Sequence, residues 1–96
     1  MSTIRYTVKP TSRFKKDLKR ISLQGLDTNE LMQVVERLAS GDFLEEKYRD
    51  HALGGEFKGC RECHIHPDWL LIYEIDKDVL FLYLTRTGSH SELFQK

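Results

Sequence analysis

The amino-acid sequence predicts a small α+β domain in which an N-terminal strand and a two-helix hairpin pack on an antiparallel β-sheet, with a short helical turn at the C-terminus. Three observations carry this. Two amphipathic helical patterns follow one another, three apolar strand patterns come after them, and the connections between those strands are short enough to require antiparallel neighbours. The size agrees, since 96 residues with 40% apolar content make one domain, residues 1 to 96, with one core and one expected site.

Ile4 to Val8 alternates apolar and polar residues as a half-buried strand does, and Pro10 and Thr11 break it. Thr11 or Ser12 caps a helix in which Phe14, Leu18 and Ile21 recur at helical spacing. Arg13, Lys15, Lys16, Lys19 and Arg20 fall on its outer face, which reads as a solvated stripe. Gly25 ends the segment. Asp27 and Glu30 form a capping pair for a second helix with the apolar stripe Leu31, Val34, Val35 and Leu38, stopping near Gly41. From Gly41 to Gly59 there is no period, so this stretch is expected to be a long loop carrying His51. Strands are predicted over Cys60 to Ile65, Trp69 to Ile75 and Val79 to Thr85, the last two apolar on both faces and therefore central in the sheet.

Composition removes several classes of function. No run approaches the roughly 20 apolar residues of a membrane helix, and the N-terminus lacks the apolar stretch of a signal peptide, so a cytoplasmic location with both cysteines as thiols is expected. The net charge of zero hides an imbalance. Residues 1 to 41 hold eight basic and four acidic side chains, residues 42 to 96 seven and eleven. A tight binder of bare nucleic acid is usually basic overall, so any such contact here must be local or assisted. Cys60-Arg-Glu-Cys63-His64 fits the spacing of covalent haem attachment, and with His66 that of a metal site. Neither is expected: haem attachment needs an exported chain and no signal segment is seen, and residues three apart in a strand point to opposite faces, so Cys60 and Cys63 could not both ligate one ion.

Side chains suited to acid-base and phosphate chemistry gather in the second half: His51, His64, Asp68, Trp69, Arg86, His90 and Phe94. Imidazoles carry protons near neutrality, guanidinium holds phosphate and aromatic rings stack on bases, so the set suggests RNA chemistry without a metal. With Asp76-Lys77-Asp78 as a loop, Ile75 faces Val79, Trp69 faces Thr85 and Asp68 faces Arg86. With His66-Pro67-Asp68 likewise as the turn of the preceding hairpin, His64 lies opposite Leu70, and His64, Asp68, Leu84 and Arg86 share one face. A one-residue slip reverses every assignment.

The segments Arg49-Asp-His51, Gly55-Glu-Phe-Lys-Gly59, Arg61-Glu-Cys-His64, Pro67-Asp-Trp-Leu-Leu-Ile-Tyr73 and Arg86-Thr-Gly-Ser-His-Ser-Glu-Leu-Phe94 resemble the YafQ-type toxins of the RelE/ParE superfamily. The resemblance spans nearly the whole chain and includes the order of elements. It implies a RelE-like fold, a ribosome-dependent endoribonuclease that cleaves mRNA, and a cognate antitoxin as partner. It places His51, His64, Asp68, Arg86 and His90 among catalytic positions, and Trp69, Phe94 and Arg61 among those that position RNA. Phe57 departs from it, standing where a tryptophan is frequent, and the zero net charge is low for such toxins.

Metal-free RNA cleavage needs a base to take the 2′-hydroxyl proton, an acid for the departing 5′-oxygen, and a cation for the phosphorane charge. Arg86 is assigned to the charge, His90 to the acid, and His51 or His64 to the base. Asp68 is left either to orient a histidine or to hold Arg86, and Trp69 and Phe94 either to stack on RNA or to pack in the core. No metal or cofactor is expected. His66, beside Pro67 in a turn, reads as an ordinary surface histidine. Two other functional classes fit the same fold: a non-catalytic ParE-like toxin, against which the histidine set counts because binding alone would not require those groups, and an inert interaction module, which the sequence leaves open.

Overall fold

Helix boundaries fall where capping side chains sit. Thr11 Oγ1 accepts the Phe14 amide at 3.1 Å, and Asp27 accepts the Asn29 amide at 3.0 Å. In the computed structural model, which describes residues 4–94, these caps open α1 (Ser12–Leu23) and α2 (Thr28–Ala39). The strands are β1 (Thr7–Pro10), β2 (His51–Ala52), β3 (Arg61–His66), β4 (Trp69–Asp76) and β5 (Phe81–Gly88), and a one-turn helix α3 (His90–Phe94) follows. Single helical turns at Glu46–Tyr48 and Gly55–Phe57 flank β2 inside the predicted loop.

All five strands belong to one sheet in the order β1-β5-β4-β3-β2, with β4 at the centre. The three long strands are antiparallel, as expected. The sheet is nonetheless mixed, because β1 runs parallel to β5 from Thr7 opposite Phe81 to Pro10 opposite Leu84. β1 starts later than predicted, since the Arg5 and Tyr6 amides bond the Ala39 carbonyl at 2.8 and 2.9 Å and tie that segment to the end of α2. Its edge position tolerates Pro10.

Each face of the sheet has its own apolar cluster, where one core was expected. Phe14 and Ile21 of α1 and Leu31, Val34, Val35 and Leu38 of α2 cover Cys63, Trp69, Leu71, Tyr73, Leu82 and Leu84. On the opposite face Cys60, Leu70, Ile72 and Leu93 form a smaller cluster, with Leu53, Phe57 and Phe94 packed against it. The two cysteines are buried, unbonded thiols on different faces, in keeping with their odd spacing, and burial pushes both thiol pKa values up.

The β4–β5 register differs from the predicted one. Asp76 Oδ1 accepts the amides of Asp78 at 3.0 Å and Val79 at 3.4 Å, a side-chain turn that lengthens the connection to Lys77–Leu80 and leaves Asp76 opposite Phe81. A bulge opposite Ile72 and Tyr73 then absorbs Thr85, so Tyr73 faces Leu84 while Ile72 faces Arg86. Asp68 is therefore not opposite Arg86, and Leu84 belongs to the helix-covered face. His64 does lie opposite Leu70, which puts it on the same face as Ile72 and Arg86.

Candidate active site

The sheet register builds the site on the face away from the helices. On β3, Glu62 and His64 are two apart and share that face, with Glu62 opposite Ile72 on one side and His51 of β2 on the other. His51 approaches from the edge strand, and His90 enters from the first turn of α3. The ring centroids of His51 and His64 are 6.3 Å apart, and those of His64 and His90 are 5.6 Å apart. Three imidazoles thus line up along one end of the sheet.

Each imidazole has one nitrogen committed. His90 Nδ1 lies 2.8 Å from Asp68 Oδ1, which also accepts the His90 amide at 3.1 Å. An Nδ1–H held by a carboxylate fixes the tautomer and leaves Nε2 free for a substrate. Those two bonds from His90 hold the Asp68 pKa below the usual carboxylate range. His64 Nδ1 points to the Pro67 carbonyl at 3.3 Å and His51 Nδ1 to the Arg49 carbonyl at 2.7 Å, so both donate there. Their Nε2 atoms converge on Glu62 Oε2, at 3.1 Å from His51 and 3.6 Å from His64. Glu62 is only 5% exposed, and its Oε1 has no hydrogen-bond partner among the described residues. A buried carboxylate with an unsatisfied oxygen is costly and calls for a physical reason.

The loop that carries His51 is held by Asp50, which accepts Arg61 Nε at 3.1 Å and the Tyr73 hydroxyl at 2.7 Å. Burial and the neighbouring Asp50 carboxylate push the Tyr73 phenol pKa up, so it remains a donor. Arg61 therefore sits on the far side of β3 from His64 and fastens the loop.

Arg86 lies apart from the histidines. Its Nε and Nη2 donate to Asp17 at 2.6 and 3.1 Å, which raises its pKa further, and the same carboxylate accepts Arg20 Nη1 at 2.7 Å and the Thr87 amide at 3.2 Å. Asp17 is 3% exposed; burial alone would raise its pKa, but the bonds from Arg86, Arg20 and Thr87 outweigh that and hold it below the ordinary value. Arg20 continues the network to Glu92 of α3 at 3.0 Å, passing Gly88, where an added Cβ would meet Arg20 Nη2 at 2.6 Å. The helix that carries His90 and the strand that carries Arg86 are thus both anchored on α1.

The structure brings His51, His64, Asp68 and His90 together and places Phe94 beside them, its ring centroid 6.4 Å from that of His90. Trp69 is 4% exposed in the helix-covered core, stacked on His66 and donating to Thr87 Oγ1 at 3.0 Å, which makes it a support for the sheet end. His66 pairs with Glu30 at the surface. Sequence reasoning missed Glu62 and Asp17. Both had a signal: Glu62 alternates with His64 on one strand face, and Asp17 falls between Phe14 and Ile21 on the apolar stripe of α1.

Residues 6–95 match the family model for the bacterial toxin of type II toxin-antitoxin systems, YafQ. The mRNA interferase toxin YafQ of Escherichia coli K12 is 34% identical over 92 residues, covering 95% of this chain and 98% of that protein. A metal-bound toxin from Helicobacter pylori superposes with a TM-score of 0.87 at 47% identity, over 93% of this chain and 99% of that one. The toxin in the E. coli DinJ-YafQ toxin-antitoxin complex superposes with a TM-score of 0.86 at 34% identity, over 95% and 99%. The fold, the near-complete coverage and the family match agree that this chain belongs to the YafQ family of type II toxin-antitoxin toxins.

Proposed function

We propose that this chain is a ribosome-dependent endoribonuclease that cleaves mRNA by general acid-base catalysis and is neutralised by a cognate antitoxin protein. The antitoxin is carried over from the E. coli complex, and mRNA from the curated E. coli relative. The observation that carries the chemistry is the pair His64 and His90, with ring centroids 5.6 Å apart and each with Nδ1 tied to a fixed acceptor. Two imidazoles so arranged can take a proton from a 2′-hydroxyl and give one to a 5′-oxygen across a single phosphodiester.

In this reading His90 Nε2 is the acid and Asp68 holds its ring. His64 is the base, being the nearer partner of His90, and Glu62 and His51 pass the proton outward along the Nε2 to Oε2 contacts. Arg86, held by Asp17 apart from the histidines, supplies positive charge beside the phosphate that is cut, and Phe94 an apolar wall. The net charge of zero supports the reading in which the ribosome presents the RNA, since the chain lacks the excess of cations that would concentrate free RNA.

One donor atom each from Glu62, His64 and His90 lie within 4.8 Å of one another. A carboxylate oxygen with two imidazole nitrogens suits a late first-row divalent ion, and the similar toxin from H. pylori is metal-bound. Such an ion would bring Lewis-acid charge to this corner and engage the lone pairs that proton transfer uses.

The test is mRNA cleavage in a reconstituted translation system, with His90→Ala expected to lose roughly 10²–10⁴-fold in rate while ribosome binding survives. The upstream product should end in a 2′,3′-cyclic phosphate or its hydrolysis product and the downstream one in a 5′-hydroxyl. Full activity of His90→Ala, or 5′-phosphate products, would reject the mechanism.

A further inference from the structure

Beside the histidines, on the other side of Phe94, lies a hollow of about 420 Å³ lined by Arg13, Glu56, Phe57, Arg86 and Phe94. Arg13, in the first turn of α1, is exposed and forms no ion pair among the described residues. Arg86 spends Nε and Nη2 on Asp17, and its Nη1 donates to no group among the described residues. The guanidinium is therefore rigidly held with both Nη1 N–H groups, and one on Nη2, still to give. Phe57 and Phe94 meet edge to face, centroids 5.7 Å apart at 87°, and form an aromatic corner in the same hollow. Phe94 also borders His90, so one ring is shared by the proton-transfer site and this cleft.

Two cations and an aromatic corner are complementary to an anion joined to a flat ring. A phosphate meets guanidinium N–H groups in charge-assisted bonds, and any base can lie on a phenyl face. Glu56 in the lining repels a second negative charge, which favours a singly charged phosphodiester over a doubly charged monoester.

We propose that this cleft is a nucleotide subsite that holds the phosphodiester and base adjoining the scissile bond, with Arg13 and Arg86 Nη1 on the phosphate and Phe57 and Phe94 against the base. The identity of the ligand as RNA rests on the endoribonuclease reading. The subsite adds Arg13 and Phe57 to the binding surface and gives Asp17 the task of aiming Arg86.

The test is a titration of the isolated protein with 2′-O-methylated adenylyl-(3′→5′)-adenosine, a diester that cannot be cut, followed by amide NMR shifts. Shifts should centre on residues 13, 54–57 and 94. Arg13→Gln should weaken binding roughly tenfold, the worth of one charged hydrogen bond. Phe57→Leu, which keeps an apolar side chain and loses the ring, should weaken it roughly fivefold or more. Adenosine and inorganic phosphate should each bind more weakly than the diester. Wild-type affinity in both variants, shifts confined to the histidines, or phosphate alone binding as tightly as the diester would overturn the subsite. These outcomes are separable from those for the reaction: cleavage retained by His90→Ala would reject the catalytic reading without touching the cleft, whereas an inactive His90→Ala beside a fully binding Arg13→Gln would do the reverse.

Discussion

On the helix-covered face β4 presents Trp69, Leu71 and Tyr73 to two amphipathic helices, whereas on the opposite face it presents Leu70 and Ile72 to a handful of apolar side chains. The first face is closed by α1 and α2, and its polar groups are paired: Trp69 Nε1 with Thr87 Oγ1 and Tyr73 with Asp50. The second is only partly covered, and around its small apolar patch stand three histidines, Glu62, Asp68 and the Arg86 guanidinium. The difference teaches where a chain this short can host chemistry. Stability comes mainly from one face, which frees the other to hold groups with an unsatisfied oxygen or an open nitrogen at some cost.

The largest break in this arrangement is expected at Asp17, which bridges the faces by fastening Arg86 to α1. Asp17→Ala leaves Arg86 and the Thr87 amide without their shared acceptor and should cost about 3–5 kcal/mol in denaturant unfolding. The pH dependence follows from the lowered pKa of this carboxylate. A depressed folded value means that its contribution is present above the ordinary value near 3.8 and is lost as pH falls through the folded value. The gap between wild type and Asp17→Ala should therefore be full near neutrality and shrink below about pH 4. A gap that grew in acid would contradict the assignment.

A smaller effect sharpens the comparison directly. Leu70 and Leu71 are adjacent and both fully buried, one under each face. Leu71→Ala should cost about 2–5 kcal/mol, and Leu70→Ala should sit near the low end of that range because its thinner surroundings can collapse around the gap. Equal costs would show that both faces carry the fold alike.

Much of this was legible in the sequence because it depends on local signals. Thr11 and Asp27 cap helices wherever they stand, and the periods of Phe14, Ile21, Leu31, Val34 and Leu38 identify the buried stripes without tertiary knowledge. The short strand connections likewise dictated antiparallel β3, β4 and β5. Register was not legible. It turned on the Asp76 side chain extending a turn and on one bulge at Thr85, which moved Arg86 from Asp68 to Asp17. The parallel pairing of β1 with β5 joins segments about seventy residues apart, and no local pattern encodes it. His51, His64, Asp68 and His90 were singled out by residue type together with the family resemblance, and the structure added what these cannot give, namely which nitrogen each ring commits and that Glu62 sits between two of them.

The central claim is that His90 protonates the departing 5′-oxygen. The most direct measurement is cleavage of a synthetic mRNA, positioned on the ribosome, in which sulfur replaces the bridging 5′-oxygen at the cut site. A thiolate leaves without protonation, so the His90→Ala variant, slowed roughly 10²–10⁴-fold on the natural linkage, should cut the sulfur linkage at nearly the wild-type rate. If His90→Ala is equally impaired on both linkages, His90 does not serve as the general acid.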